Sequence, residues 1–197
     1  MMRTRPILTI GHSRHSWERF AALLAGAGIE TLADIRSVPR SRFSPHFNKD
    51  ALAAALAGRN VAYIFLGKEL GGRPQDPQMY SGGVADYEKM AAAPEFRLGL
   101  ARLSEAAAER TLAMMCSEAD PLECHRCLLV ARALAEEGAD VRHILASGAI
   151  MTHAEAEDRL LALENLIEAD LLATSREERL ARAYRSRARK FAYSQSQ

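Results

Sequence analysis

Three cysteines, a histidine and an arginine stand among three acidic residues in the twelve-residue run Cys116-Ser117-Glu118-Ala119-Asp120-Pro121-Leu122-Glu123-Cys124-His125-Arg126-Cys127. Three chemistries compete for this run. Cys116 or Cys124 can be a nucleophile, because a helix N-terminus and a neighbouring guanidinium both favour thiolate over thiol. Cys124-x-x-Cys127 has the spacing of a redox pair. Cys116, Cys124 and His125, with or without His12, offer a metal soft sulfur and nitrogen donors. Cys127 adjoins Leu128-Leu129-Val130 and reads as a buried small hydrophobe. Cys116 and Cys124 are therefore expected to face a cleft, and Cys127 the interior.

A second run, Asp34 to Lys49, interleaves Arg36, Arg40, Arg42 and Lys49 with Ser37, Ser41, Ser44, Asn48 and two phenylalanines. Such a surface neutralises phosphates and stacks on bases. A solvated basic loop anchored by its phenylalanines has the same composition.

The elements that must position these residues alternate between strand and helix. Ile7–Ile10 reads as a strand that ends in Gly11-His12-Ser13. Ser16 caps a helix through Leu24 that stops at Gly26 or Gly28. Thr31–Arg36 is a second strand. Asn48 reads as the N-cap of a helix from Lys49 to Leu56, closed by Gly58. Val61–Leu66 is the third strand, and residues 67–84 form a long Gly/Pro-rich loop. A helical region follows from about Asp86 to Arg110, broken at Pro94. Thr111–Cys116 is the fourth strand. Asp120 as N-cap, Pro121 at N1 and Glu123 at N3 predict a helix to about Glu137 with Cys124 in its first turn. Val141–Leu145 is the fifth strand.

Five strands separated by helices predict an α/β fold, a three-layer Rossmann-like sandwich around a five-stranded, mainly parallel sheet. Residues 1–150 form this domain. Residues 151–197 form a C-terminal helical extension that opens with a capping box at Thr152 and Glu155. Its Leu160, Leu161, Leu163, Leu166, Ile167, Leu171 and Leu172 make an apolar stripe suited to a homodimer. Seven basic residues lie between Arg176 and Lys190.

In an open parallel sheet, ligands bind beyond the carboxyl ends of the strands. Those ends hold His12 and Ser13, then Asp34, Arg36 and Ser37, then Gly71 and Gly72, then Cys116, Ser117 and Glu118. The expected site has His12 and Glu118 for acid–base work, His12 being the better base because it titrates near neutrality. Cys116 or Cys124 is a nucleophile or metal ligand. Arg36 and Arg126 bind an anionic group, with Ser13, Asp34, Ser41, Gly71 and Gly72 completing the substrate set. Asp34 orients Arg36 or His12. The sequence assigns no cofactor and no particular metal.

The composition, 48% hydrophobic and 26% charged with net charge +1, excludes a disordered chain and a polycation. Arg outnumbers Lys by 22 to 4, a bias that genome composition explains as well as function does. No apolar run reaches the roughly 18 residues of a membrane span. The N-terminus lacks a secretory pattern. Three clustered cysteines suit a reduced, cytoplasmic protein. The leading expectation is an enzyme acting on a phosphate-bearing or nucleotide-like substrate. The competing one is a non-catalytic nucleic-acid-binding module that uses Arg40, Arg42 and Lys49 with the basic tail.

Several motifs in order resemble the bacterial and archaeal domain-of-unknown-function family 488. They are Thr9-Ile10-Gly11-His12-Ser13, Asp34-Ile35-Arg36-Ser37-Val38-Pro39-Arg40-Ser41, Tyr63 with Leu70-Gly71-Gly72, Cys116-Ser117-Glu118 with Cys124-His125-Arg126, and His143-Ile144 with Gly148 and His153. The resemblance spans Leu8 to about His153 and implies a compact α/β domain with a shared site, but no established reaction. The family pattern does not require Cys127, which weighs against the dithiol. A fainter similarity is to rhodanese-like sulfurtransferases, which also have a strand ending in Asp-x-Arg and a later Cys-bearing loop before a helix. Here that loop is longer, and Pro121 removes one N–H from any anion cradle.

Overall fold

Apolar residues on both sides of a strand demand cover on both faces, and the central strands of this chain have them. The computed structural model describes residues 5–168 and 175–195. In chain order its elements are β1 (Ile7–Gly11), α1 (Trp17–Gly26), β2 (Thr31–Asp34), α2 (Lys49–Ala57), β3 (Ala62–Phe65), the short strands β4 (Tyr80–Ser81) and β5 (Val84–Ala85), α3 (Tyr87–Ala92), α4 (Pro94–Glu109) and β6 (Leu112–Cys116). A 3-10 turn (Pro121–Glu123) and a π-helical segment (Arg126–Ala131) lead into α5 (Arg132–Glu136). β7 (Val141–Ile144), β8 (Ile150–Thr152), α6 (His153–Leu163) and α7 (Arg176–Phe191) complete it.

The main sheet has the order β3-β2-β6-β1-β7-β8. β8 pairs antiparallel with β7, and every other pairing in this sheet is parallel. Leu8, Ile10, Leu32, Ala113, Met115 and Ile144 face a core shared with Phe20, Leu24, Leu52 and Leu56 of α1 and α2. Ile7, Ala33, Leu112, Met114 and Val141 face the larger core under α3, α4, the π-helical segment, α6 and α7. This is the expected three-layer α/β sandwich, with one strand more. β8 is too short for its alternation to show, and the turn before it uses Gly148 in the left-handed region (φ +97°). The long loop after β3 also folds part of itself into the β4–β5 hairpin.

Two helix starts differ from the sequence reading. Asn48 precedes α2, but its side chain does not cap it; Oδ1 accepts instead from Ser41 N (2.7 Å) across the basic loop. Asp120 and Pro121 do start a turn, with Asp120 accepting from Leu122 N (2.9 Å), but only the 3-10 turn. Cys124 is extended (φ −142°, ψ 143°), so the following helix begins after it and not around it. The capping box at Thr152 is present, and a second at Ser175 opens α7, so the tail is two helices. Leu160, Leu161 and Leu166 of the apolar stripe are buried in this chain's own core, with Ala183 and Tyr184 of α7. Leu163 and Ile167 are exposed, and Leu171 and Leu172 lie outside the described residues. Among the described residues no helix is long and apolar enough to cross a membrane.

The functional consequence of the topology is the place of β6. It lies between β1 and β2, so the three exits bearing His12, Cys116 and Arg36 are side by side, at strand spacings of about 4.8 Å.

Candidate functional site

β1 and β6 stay paired past their ends: His12 N donates to Cys116 O (2.9 Å) and Ser13 N to Ser117 O (2.8 Å). Such contact needs a glycine at position 11, where a Cβ would lie 1.9 Å from the Glu118 carbonyl oxygen. Gly72 does the same for the opposite wall, since a Cβ there would press on the His125 ring at 2.8 Å. Between these close approaches lie Cys116, Cys124 and His125. Their Sγ, Sγ and Nδ1 atoms are mutually within 4.8 Å. His125 Nε2–H donates to Ile35 O (3.0 Å), which leaves Nδ1 facing the sulfurs, 3.5 Å from Cys116 and 3.9 Å from Cys124. Cys124 sits at the start of the π-helical segment. Its carbonyl accepts from Leu128 N and its Sγ from Arg126 N (3.4 Å), the pattern of a capping side chain.

These contacts divide the two thiols. Burial opposes a charge on Cys124, but the hydrogen bond from Cys116, the Arg126 guanidinium and His125 outweigh it and hold its pKa well below the ordinary thiol value. Burial, then the hydrogen bond and charge of Cys124, push Cys116 well above it. Burial also works against a charged His125, yet the Cys124 sulfur and the Glu118 carboxylate raise its pKa. Both shifts favour a Cys124 thiolate beside a His125 imidazolium. Cys116 keeps its proton, and its one S–H has two acceptors in reach, the Cys124 sulfur and Glu118 Oε2 (3.1 Å). Glu118 is raised in turn by burial and by Cys124. The same three donors, two sulfurs and a nitrogen whose far N–H is anchored, form a set that could hold zinc.

Above this floor opens a cleft of about 1090 Å³. Its walls carry Arg14, Arg40 and Arg73, with His15 and His46, against few carboxylates. Arg14 and Arg40 have no ion-pair or hydrogen-bond partner for their side chains among the described residues, and Arg73 stacks on the Tyr193 ring at 4.8 Å. Phe191, Ala192 and Tyr193 reach the cleft because the C-terminal segment bridges to β5, with Ala85 N donating to Tyr193 O (2.9 Å).

Of the residues singled out from sequence, His12, Ser13, Arg36, Ser41, Gly72, Cys116, Glu118 and Cys124 line this one cleft, as does Arg40. Asp34, Gly71, Arg126, Arg42 and Lys49 do not. Arg36 is committed to Asp34, donating through Nε to Oδ1 (2.9 Å) and through Nη2 to Oδ2 (2.6 Å), while Nη1 donates to His12 Nε2 (3.2 Å). Tyr63 OH also donates to Asp34 (2.9 Å). Both nitrogens of His12 are engaged, Nδ1 with Ser13 O (3.0 Å), and its ring stacks on Phe47. Burial and Arg36 lower its pKa to about 4, so it is neutral at pH 7. Arg126 is buried beneath the floor, donating to Glu118 O (2.6 Å) and Ala119 O (2.9 Å). It ties down the loop and supplies positive charge to Cys124 from below. Gly71 packs against Ser37 and Gly67. Lys49 lies over the Phe65 ring, on the α2 side.

Sequence reasoning named His125 only as a metal donor and missed Arg14, Arg73 and Tyr193. Arg14 follows His12-Ser13 directly and could have been read with that strand exit. Tyr193 gave no signal, because only the fold brings the tail to the cleft.

A family model described as "Domain of unknown function DUF488" matches residues 16–133. No curated protein and no solved structure matches the chain.

Proposed function

This chain belongs to the DUF488 family, a membership that carries no reaction with it, and we propose that its cleft is the active site of an enzyme acting on a phosphate-bearing or nucleotide-like substrate. The observation that carries the proposal is Cys124 at the floor of an arginine-lined cleft, its sulfur accepting from Arg126 N (3.4 Å) and facing His125 Nδ1 (3.9 Å), contacts that favour its thiolate. Arg14, Arg40 and Arg73 attract and seat the anionic group. The Cys124 sulfur attacks the electrophilic centre, forming a bond to sulfur as the bond to the leaving oxygen breaks. That oxygen takes the proton shared by Cys116 and Glu118. Water then attacks the electrophilic centre: its hydroxyl bonds there as the bond to sulfur breaks, its proton returns to the Cys116–Glu118 pair, and the thiolate is regenerated. His125 holds the thiolate in place, and Arg36 with Asp34 keeps His12 and the β2 exit rigid. The chemistry needs Cys124 reduced, which suits a reducing cytoplasm.

The test is turnover of a panel of phosphomonoesters, phosphodiesters and nucleotides, with labelling of Cys124 by iodoacetamide beside it. Cys124→Ser is expected to abolish turnover, and inorganic phosphate or AMP to slow labelling. Turnover that survives in Cys124→Ser, or labelling indifferent to every anion, defeats the proposal.

One observation favours the alternative of a nucleic-acid-binding module: Phe43, between Arg42 and Ser44, is 92% exposed at the rim of the same cleft. An exposed aromatic among arginines is a base-stacking platform. Binding of single-stranded DNA or RNA that falls steeply with salt, weakens in Arg40→Ala/Arg42→Ala and is unchanged in Cys124→Ser would support that reading.

A further inference from the structure

Beneath the cleft, inside the larger core, a second group of donors converges from three elements. Cys127 comes from the π-helical segment, His143 from β7 and His153 from the start of α6. Cys127 Sγ, one ring nitrogen of His143 and one of His153 lie within 4.8 Å of one another, and all three residues are buried. We infer that Cys127, His143 and His153 form a binding site for a single zinc-type divalent ion, separate from the cleft and not dependent on its function.

The spacing of the donors fits. Bonds of about 2.3 Å to sulfur and about 2.0–2.1 Å to nitrogen set tetrahedral ligand atoms roughly 3.3–3.6 Å apart. Here His143 Nε2 is 3.1 Å from His153 Nδ1 and 3.8 Å from Cys127 Sγ, on either side of that range. The far nitrogens are also placed as in metal sites, where each imidazole donates its other N–H to a fixed acceptor. His143 Nδ1 is 2.8 Å from Thr9 Oγ1 on the neighbouring strand β1. His153 Nε2 is 3.1 Å from Tyr184 OH, which donates onward to Glu157 Oε1 (3.3 Å).

Backbone constraints hold the donors there. His153 directly follows the Thr152 capping box, which fixes the start of α6. His143 is held between β1 and β8. Cys127 lies in the first turn of the π-helical segment, and wide π turns recur at functional sites.

The charges balance as well. Cys127 binds as thiolate after releasing its proton to water, and both histidines bind neutral, so a divalent ion leaves one positive charge. Glu157 lies 3.9 Å from His153 Nε2 to meet it. Three protein donors leave one position for a small exogenous ligand. The donor set of one sulfur and two nitrogens selects zinc over calcium or magnesium, which prefer oxygen.

The full chain, stripped with chelator and re-exposed to Zn²⁺ or Co²⁺, tests this. Cys116→Ser/Cys124→Ser lacks the cleft thiols and is expected to bind one ion per chain by elemental analysis. Its Co²⁺ form should show tetrahedral ligand-field bands and charge transfer from one thiolate. Cys127→Ser and, separately, His153→Gln are expected to lose that ion. Thr9→Val keeps the shape but removes the acceptor of His143 and should weaken binding by about 10–100-fold. An ion that survives Cys127→Ser and His153→Gln overturns the inference, as does absence of any thiolate-to-cobalt band in Cys116→Ser/Cys124→Ser. The cobalt spectrum decides even where Cys127→Ser fails to fold. Failure here leaves the Cys124 proposal untouched, because the background variant has already removed that residue.

Discussion

At the cleft floor, Cys124 accepts from the Arg126 N–H and faces His125; one turn further along the same backbone, Cys127 faces His143 and His153. Both thiols are buried, so burial alone does not decide which one ionises. The hydrogen bond from Cys116, the Arg126 guanidinium and His125 favour charge at Cys124. At Cys127 burial dominates and raises the thiol. The histidines divide in the same sense. His125 is raised, whereas burial lowers His143 to about 3 and His153 to about 4. One cluster is buried at the floor of the cleft and biased toward a charge-separated pair, and the other is buried in the core and biased toward neutrality.

The largest test of that contrast is kinetic. In metal-free protein near pH 6.5, iodoacetamide should label Cys124 faster than Cys127 by on the order of 10³-fold, because only thiolate reacts. Peptide mass mapping against time gives both rates, and equal rates would erase the contrast.

The next effect is on stability against pH. His143 and His153 have folded pKa values below the 6.5 of the unfolded chain, so unfolding takes up protons in acid. Their stabilising contribution is complete above pH 6.5 and is lost as pH falls toward 4. The loss at the acid limit, below both folded values, amounts to about 5 kcal/mol for His143 and about 3 kcal/mol for His153. His125 has the opposite sign. Its contribution is full below pH 6.5 and is lost as pH rises through its folded value. Urea midpoints of metal-free protein from pH 7.5 to 4 should fall, and less steeply in His153→Gln. Ring ¹⁵N spectra should show His125 titrating above 6.5 and His143 and His153 neutral at pH 5. A midpoint that is flat down to pH 4.5 would contradict the burial of the second pair.

The smallest effect sharpens the boundary between the clusters. Tyr184→Phe removes the hydroxyl that links His153 to Glu157, but leaves Glu157 3.9 Å from His153 Nε2. The expected loss is about 1 kcal/mol in urea unfolding, with the Cys124 labelling rate unchanged. A changed rate would mean that the two clusters are coupled through the π-helical segment.

The sequence showed the strands, and with them the carboxyl edge, because β1, β2 and β6 are short apolar runs that end at His12, Arg36 and Cys116. It did not show which polar groups at that edge are free. Arg36 reads as an anion ligand until its guanidinium is seen on Asp34. Arg126 reads as a surface charge until it is found beneath the loop on two carbonyls. The π-helical turn is illegible for a physical reason. Arg126 to Ala131 are all buried, so no alternation of exposed and buried side chains marks its wider period. Asp120 and Pro121 are sound start signals, but a local cap cannot say how far the turn it starts will run. The second cluster was legible only in part. His143 follows Val141 by two and must face the same side of β7, but nothing local joins it to Cys127.

The insertion of β6 also has a consequence for how the chain acquires its site. β1 and β2 make no hydrogen bonds to each other; each pairs with β6, through Gly11↔Cys116 on one side and Asp34↔Met115 on the other. A nascent chain that ends before residue 112 holds two strands whose inner edges have nothing to pair with, and neither cleft cysteine. Contacts this distant in sequence form slowly, so the seam between the two halves is a late event in folding. During synthesis the unpaired edges of β1 and β2 are where the chain is most open to capture by a chaperone or by another strand.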